Sequence, residues 1–195
     1  MYSIPSHIKG LIFDLDGTLA DNMPIHLAAW KLAGSNFGVD ITDEMITSRS
    51  GMATFKIVSL LNEAYGWDLD PALTKQTKDM AYKELKPQIG LKPIEKIVAI
   101  AEAHRGKLPM GVGTGSTRPN AEETLIALGI FDWFDAVVTA TDVKNYKPSP
   151  ETFLLCAEKM GVAPETCLVF EDSPFGIQAA RTGGMQVVDV RDVEG

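Results

Sequence analysis

Two aspartates placed at the end of an apolar run are the first residues in this chain whose spacing suggests chemistry. After Leu11-Ile12-Phe13 come Asp14, Leu15, Asp16, Gly17 and Thr18. Along a strand, positions i and i+2 put both carboxylates on the same side. A carboxylate leaving an apolar run costs several kcal/mol unless it is paired, hydrogen-bonded or bound to a cation. Two of them at one strand end therefore ask for a metal. Gly17 lets the backbone turn sharply, and Thr18 adds a hydroxyl. Taken alone, the stretch also reads as a strand ending in an acidic turn, with Asp-Gly as the turn signal.

Further polar groups stand at the ends of later apolar runs. Met110–Gly113 stops at Thr114, Gly115 and Ser116; Lys147 follows the run at Ala136–Thr139; Cys167–Phe170 stops at Glu171 and Asp172. The chemistry they suit together is phosphoryl transfer. Asp14, Asp16 and Asp172 offer hard oxygen ligands, which suit a Mg²⁺ that keeps some water and takes one phosphate oxygen. Thr114 and the amides of Gly115 and Ser116 can donate to phosphate oxygens, helped by the N-terminus of the following helix. Lys147 supplies positive charge where negative charge builds. One carboxylate can attack phosphorus and give an aspartyl phosphate. The second, two residues on, can protonate the leaving oxygen and later deprotonate water.

The elements that must position these groups follow from periodicity. From Asp21 to Lys86 apolar residues recur at helical spacing (Ile25, Ala28, Ala29, Leu32; then Ile57, Leu60, Leu61, Ala64), with breaks near Gly38, Gly51, Gly66 and Pro71. Pro87 and Gly90 mark the exit of this helical insertion. Beyond Leu91, strands and helices alternate. Pro93 is expected in the first turn of a helix that Gly106 ends. Pro119 opens another that Gly129 stops, Ser149 and Pro150 form a capping pair, and Ser173-Pro174 starts the last. The strands are short continuous apolar runs, as in a parallel sheet covered on both faces. The expected architecture is α/β: a Rossmann-like open parallel sheet with helices on both faces. Its core takes in residues 1–19 and 88–195, and residues 20–87 form an all-helical insertion after the first strand. Ligands of such sheets lie beyond the carboxyl ends of the strands, near the switch in strand order.

Composition narrows the partners. A net charge of −8 over 195 residues argues against nucleic acid and against an anionic membrane. No apolar run approaches a membrane span, and Met1–Pro5 lacks the pattern of a signal peptide. Cys156 and Cys167 sit in apolar company with no metal spacing, as buried reduced thiols do. A cytoplasmic monomer acting on a small molecule is the expectation.

Asp14-Leu15-Asp16-Gly17-Thr18, Thr114, Lys147 with Pro148, and Glu171-Asp172 resemble, in order, the four motifs of the haloacid dehalogenase superfamily of phosphatases and mutases. The resemblance implies Asp14 as nucleophile and Asp16 as general acid/base. It implies Mg²⁺ held by the Asp14 side chain, the Asp16 backbone carbonyl and Asp172, with Glu171 as a ligand or just behind the ligands. It also implies that the insertion is a C1 cap. Asp21–His26 with Trp30 looks like the start of the β-phosphoglucomutase-like branch. The tracts Gly111–Ser116, Lys147–Ala157 and Val169–Asp172 look closest to bacterial fructose-1-phosphate phosphatases of that branch.

What this implies is Mg²⁺-dependent hydrolysis of a small sugar phosphate, fructose 1-phosphate-like, through an aspartyl phosphate. The partner would be a small phosphorylated metabolite. A sugar phosphate mutase shares every core residue. The mutases, however, use a cap arginine a few residues beyond the glycine matching Gly51, where Thr54 stands here. A receiver-type signalling domain also combines acids, a hydroxyl and a lysine, but has its phosphoacceptor at the third strand and no helical cap. In the insertion, His26 is open to two readings, a solvated helix residue or one facing the cleft. Arg49, Lys56 and Lys78 are cations within reach of a sugar phosphate or ordinary surface charges; Lys78, four before Tyr82, resembles a cap lysine of the mutases. Trp30, Phe37, Trp67 and Trp133 are expected to pack.

Overall fold

The computed structural model describes residues 2–194. Five strands, β1 (Gly10–Phe13), β4 (Met110–Gly113), β5 (Ala136–Val138), β6 (Cys167–Glu171) and β7 (Gln186–Asp189), form one parallel sheet in the order β5-β4-β1-β6-β7. β1 lies at the centre, and the chain leaves it first toward β4 and later returns to β6 on its other side. That reversal of direction opens the crevice in which such sheets bind ligands.

Alternation along the strands sorts side chains into two layers. Leu11, Phe13, Leu168 and Phe170 join one apolar cluster, and Ile12, Cys167 and Val169 join another on the opposite face. Phe13 and Phe170 are register partners and stack at 4.9 Å between centroids. α5 (Glu95–His104) and α6 (Arg118–Ala127) feed the first cluster through Ile97, Ile100, Ala101, Ala121 and Leu125. α7 (Glu151–Met160) and α8 (Pro174–Thr182) feed the second through Phe153, Cys156, Ala157, Ala179 and Ala180. In β4 a Cβ at Gly113 would stand 2.8 Å from the Phe153 ring, so glycine there lets α7 lie close. Cys156 and Cys167 are free and buried, and burial pushes their thiols up to about 12 and about 11.

Between β1 and β4 the chain makes α1 (Met23–Asn36), α2 (Asp43–Thr47), α3 (Thr54–Tyr65) and α4 (Pro71–Ile89). These helices bury their own apolar groups, one around Trp30, Ile41, Ile57, Val58 and Leu61 and one around Ile25, Ala29, Ala81 and Tyr82. Asp70 caps α4 by accepting from Leu73 N at 2.7 Å, and Pro71 fits its first turn. Two passages join this helical unit to the sheet. They meet as a short antiparallel ribbon of β2 (Ala20–Asp21) and β3 (Lys92–Pro93). A cation of α4, Lys86, also reaches Glu123 of α6 at 2.9 Å. No helix among the described residues is long and apolar enough to cross a membrane.

Local expectations at the prolines are sharpened or change. Pro93 belongs to the ribbon and not to a helix, because its missing N–H is tolerated in an edge strand; α5 starts at Glu95. Of the two exit markers Gly90 is the C-cap of α4, while Pro87 lies inside its last turn, where a proline forfeits a single helical bond. Pro150, rather than Ser149, is the residue flanking α7.

Leu61 is fully buried within the helical unit. Leu61→Ala should lower the unfolding free energy by about 2–5 kcal/mol, through lost transfer energy plus a cavity. Urea titration followed by circular dichroism measures it. A loss below about 1 kcal/mol would mean that this cluster is loosely packed.

Candidate active site

The site starts in the turn after β1. Leu15 O accepts the amides of Leu19 and Ala20 at 3.0 and 2.9 Å, folding the chain back on itself. Gly17 has φ +86°, and a Cβ there would run into the Asp172 carboxylate. Glycine is therefore required both for the turn and for the approach of a distant acid. The strand stops at Phe13, so the two aspartates do not share one side as a continuing strand would have it: their side chains diverge into different surroundings.

Asp14 faces the sheet rim. Its Oδ1 accepts from Lys147 Nζ at 2.7 Å, and the same ammonium donates to Glu171 Oε1 at 2.8 Å. Lys147 is 2% exposed, Asp14 5% and Glu171 0%, so this charge group is shielded from water. Glu171 Oε2 accepts the Ser173 amide, and Ser173 in turn caps α8 by accepting from Gly176 N at 3.1 Å. Asp172 adds a third carboxylate, with Thr18 Oγ1 3.5 Å from its Oδ1. Oxygens of Asp14, Glu171 and Asp172 lie within 4.8 Å of one another.

One ammonium does not balance three carboxylates. Burial pushes Asp14 well above its ordinary range; Lys147 opposes this, while Glu171 and Asp172 add to it. Burial and then Glu171 push Asp172 up to about 7. For Lys147, burial works against the charge, but Asp14 and Glu171 outweigh it and hold the ammonium above its usual value. All-oxygen donors with excess negative charge fit a hard divalent cation such as Mg²⁺.

Asp16 faces the helical unit instead. Ser116 Oγ donates to its Oδ2 and Asn22 Nδ2 to its Oδ1, each at 2.5 Å. His26 Nε2 stands 3.4 Å from Oδ1. Burial would raise the Asp16 carboxyl, but His26 and the bonds from His26, Ser116 and Asn22 outweigh it, holding Asp16 below the usual carboxylate range. His26 Nδ1 lies 3.0 Å from Lys78 Nζ, which is consistent with an accepting Nδ1 and a protonated Nε2 turned toward Asp16. Burial and the Lys78 cation both lower His26, while Asp16 opposes them. Burial lowers Lys78 as well. Of the two readings open for His26, the cleft is the one observed.

The Thr114-Gly115-Ser116 turn is held tightly. Thr114 Oγ1 accepts the Ser116 amide at 3.0 Å, so that amide is already engaged. Gly115 lines the cavity and sits under the insertion, where its Cβ would meet Gly51 O at 3.2 Å. The segment Ser50–Ala53 thus rests on the sheet rim. Beneath it lies a cavity of about 300 Å³ lined on one side by Asp14, Asp16, Thr114, Gly115 and Ser116, and on the other by His26, Trp30, Thr54, Lys75 and Lys78.

Reading the sequence alone missed two participants, Asn22 and Tyr82. Asn22 occupies the N-cap position of α1 but makes no side-chain cap bond; its amide serves Asp16 and the Tyr82 hydroxyl, the latter at 3.1 Å. A capping-type residue before Met23-Pro24 was the visible signal, and it reads as a cap. Lys75, paired with Asp79 at 2.7 Å, also faces the cavity. Arg49 does not: its guanidinium turns back to Met45 O and Ser48 Oγ, and Lys56 is likewise absent from the lining.

A Rossmann-like parallel sheet whose rim gathers acids, a lysine and a hydroxyl beneath a helical insertion is the layout of a phosphate-ester hydrolase. The haloacid dehalogenase-like hydrolase family matches residues 11–190, and the chain belongs to that family as a phosphomonoester hydrolase. It is 43% identical over 183 residues to the fructose-1-phosphate phosphatase YqaB of Escherichia coli (strain K12), covering 93% of this chain and 96% of that one. Among solved structures, a hydrolase from Pseudomonas syringae superposes with TM-score 0.84 at 27% identity, over 92% of this chain and 83% of the other. A β-phosphoglucomutase from Clostridium difficile does so with TM-score 0.79 at 28% identity, over 92% and 83%.

The raised Asp172 has a consequence for stability. In the metal-free protein the native carboxyl holds its proton up to about 7, whereas the unfolded one gives it up near 3.8. The native state therefore binds more protons between these values, and this group's contribution to stability falls as pH rises. In chelator, Asp172→Asn should narrow the difference between urea midpoints at pH 5 and pH 7.5. An unchanged difference would show that Asp172 does not titrate in that window.

Proposed function

We propose that the chain is a Mg²⁺-dependent phosphatase of a small sugar phosphate, resembling fructose 1-phosphate, that works through an aspartyl phosphate on Asp14. The observation that carries this reading is the buried Asp14–Lys147–Glu171–Asp172 group, in a chain 43% identical to a fructose-1-phosphate phosphatase. Asp14 attacks phosphorus, and Lys147 orients its carboxylate and offsets charge as it builds. Thr114 and the Gly115 amide bind phosphate oxygens, Ser116 braces the turn through Thr114 and Asp16, and His26 and Lys78 face the sugar. Asp14, the Asp16 carbonyl and Asp172, with Glu171 beside them, would hold Mg²⁺. The ion, when bound, supplies positive charge to the phosphate oxygens. Asp16 is the proton carrier: it protonates the leaving alkoxide and then takes a proton from the water that hydrolyses the phosphoenzyme.

Residues 20–87 act as the cap over a core of 1–19 and 88–195, shutting out bulk water. Hydrolysis is favoured over mutase chemistry because no arginine lines the cavity among the described residues, and Thr54 does. In this reading the enzyme is a cytoplasmic monomer.

Asp14→Asn keeps the shape of the side chain but removes charge and nucleophile, so it should abolish turnover with the fold intact. Normal phosphate release by that variant sinks the covalent route. In a panel of phosphorylated metabolites, phosphate should be released from fructose 1-phosphate. Interconversion of glucose 1- and 6-phosphate without release would point to a mutase. Excess chelator should stop turnover and Mg²⁺ restore it; full activity in chelator removes the metal from this account.

A further inference from the structure

The loop after β5 is tied to the phosphate-binding turn by a charged pair that belongs to none of the motifs. Asp142 Oδ2 accepts three donors: Thr139 N at 2.8 Å, Thr139 Oγ1 at 2.7 Å and an Arg118 guanidinium nitrogen at 2.7 Å. Arg118 also donates to Val137 O at 3.1 Å, at the end of β5. Its backbone amide donates to Thr141 Oγ1 at 3.1 Å, and the Ala140 amide donates to Ser116 O at 3.0 Å. On the other side of the same seam, Thr114 N donates to Val138 O at 2.9 Å. Residues 114–118 and 139–142 thus form one hydrogen-bonded unit, and Ala140 and Thr141 line the cavity beside Ser116.

We infer that Asp142, clamped by Arg118, is a positioning residue for the phosphate-binding turn: it fixes Thr139–Thr141, which fixes Ser116, which orients both Thr114 and Asp16. The chain of contacts is continuous. Ser116 receives the Ala140 amide on its carbonyl, gives its own amide to Thr114 Oγ1 and gives its hydroxyl to Asp16. Asp142 does not line the cavity and acts only through these neighbours. A carboxylate accepting three bonds, one of them from a cation, is a stiff joint. Its side chain is 21% exposed and joins none of the apolar clusters, so its contribution to global stability is small compared with its hold on the turn. Preorganisation of this kind matters because a displacement of about 1 Å at a reacting centre can cost about a hundredfold in rate.

The inference rests on the reading that Thr114 and the Gly115 amide bind the transferred phosphate. Its test uses inorganic phosphate as a competitive probe, with 4-nitrophenyl phosphate as substrate. Asp142→Ala should weaken phosphate inhibition about tenfold and lower kcat/KM by a similar factor, mainly through KM, with the fold retained. Asp142→Asn keeps an acceptor oxygen and should restore most of both. Glu122→Ala, which removes only the outer partner of Arg118, should change neither. Should Asp142→Ala fail to fold, Arg118→Gln carries the same test, because it deletes the clamp yet leaves the bonds from Thr139 to Asp142. An unchanged phosphate inhibition constant in the folded variant overturns the inference, as does a loss that only follows the folded fraction. A wild type that binds phosphate but hydrolyses no sugar ester overturns the proposed function alone; one that binds no phosphate overturns both.

Discussion

Removing Lys147 from water between Asp14 and Glu171 is the constraint to which the rest of the site answers. An isolated buried charge is prohibitive, and an ion pair in the interior survives only with close geometry and further hydrogen bonds. Here the ammonium reaches both carboxylates within 2.8 Å and lies over the Phe153 ring at 4.5 Å. Glu171 is satisfied in turn by the Ser173 amide, and Ser173 caps α8. The charge group therefore fastens the ends of β1 and β6 to the segment before α7 and to the start of α8. Negative charge is left over at Asp172 and Asp14, and that surplus makes the rim receptive to a cation.

Asp14 and Asp16 are two residues apart and live in opposite electrostatic settings. Asp14 shares a dry cluster with like charges, and burial raises it. Asp16 collects donors from Ser116 and Asn22, with His26 close by, and these keep it ionised. The turn through Gly17 separates them by sending one carboxylate to the sheet and the other toward the helical unit. A cation at the rim would offset the like charges around Asp14 and favour its ionised form.

The helical unit carries its own apolar clusters and meets the core through a short ribbon, the Lys86–Glu123 pair and the Gly51 segment. Asn22, next to the ribbon, joins Asp16 to Tyr82 of α4, so the setting of the acid depends on where α4 lies.

The sequence by itself determined the α/β alternation, the position of the helical insertion and the core residues at the strand ends. Those signals are local: continuous apolar runs, helical periodicity, and acids or hydroxyls just past a run. The helix start expected at Pro93 is displaced to Glu95, because the ribbon with Ala20–Asp21 claims Pro93, and that pairing is set by a segment far away in the chain. What only the tertiary structure decided was which polar residues turn toward the cavity. Arg49 and Lys78 are both cations of the insertion, yet one folds back on its own helix end while the other is buried against His26. Asn22 and Asp142 carry no local signal of their roles, since each works through groups far away in the chain or behind the cavity wall. Direction of a side chain and company across long sequence separations arise from packing, and packing is not periodic.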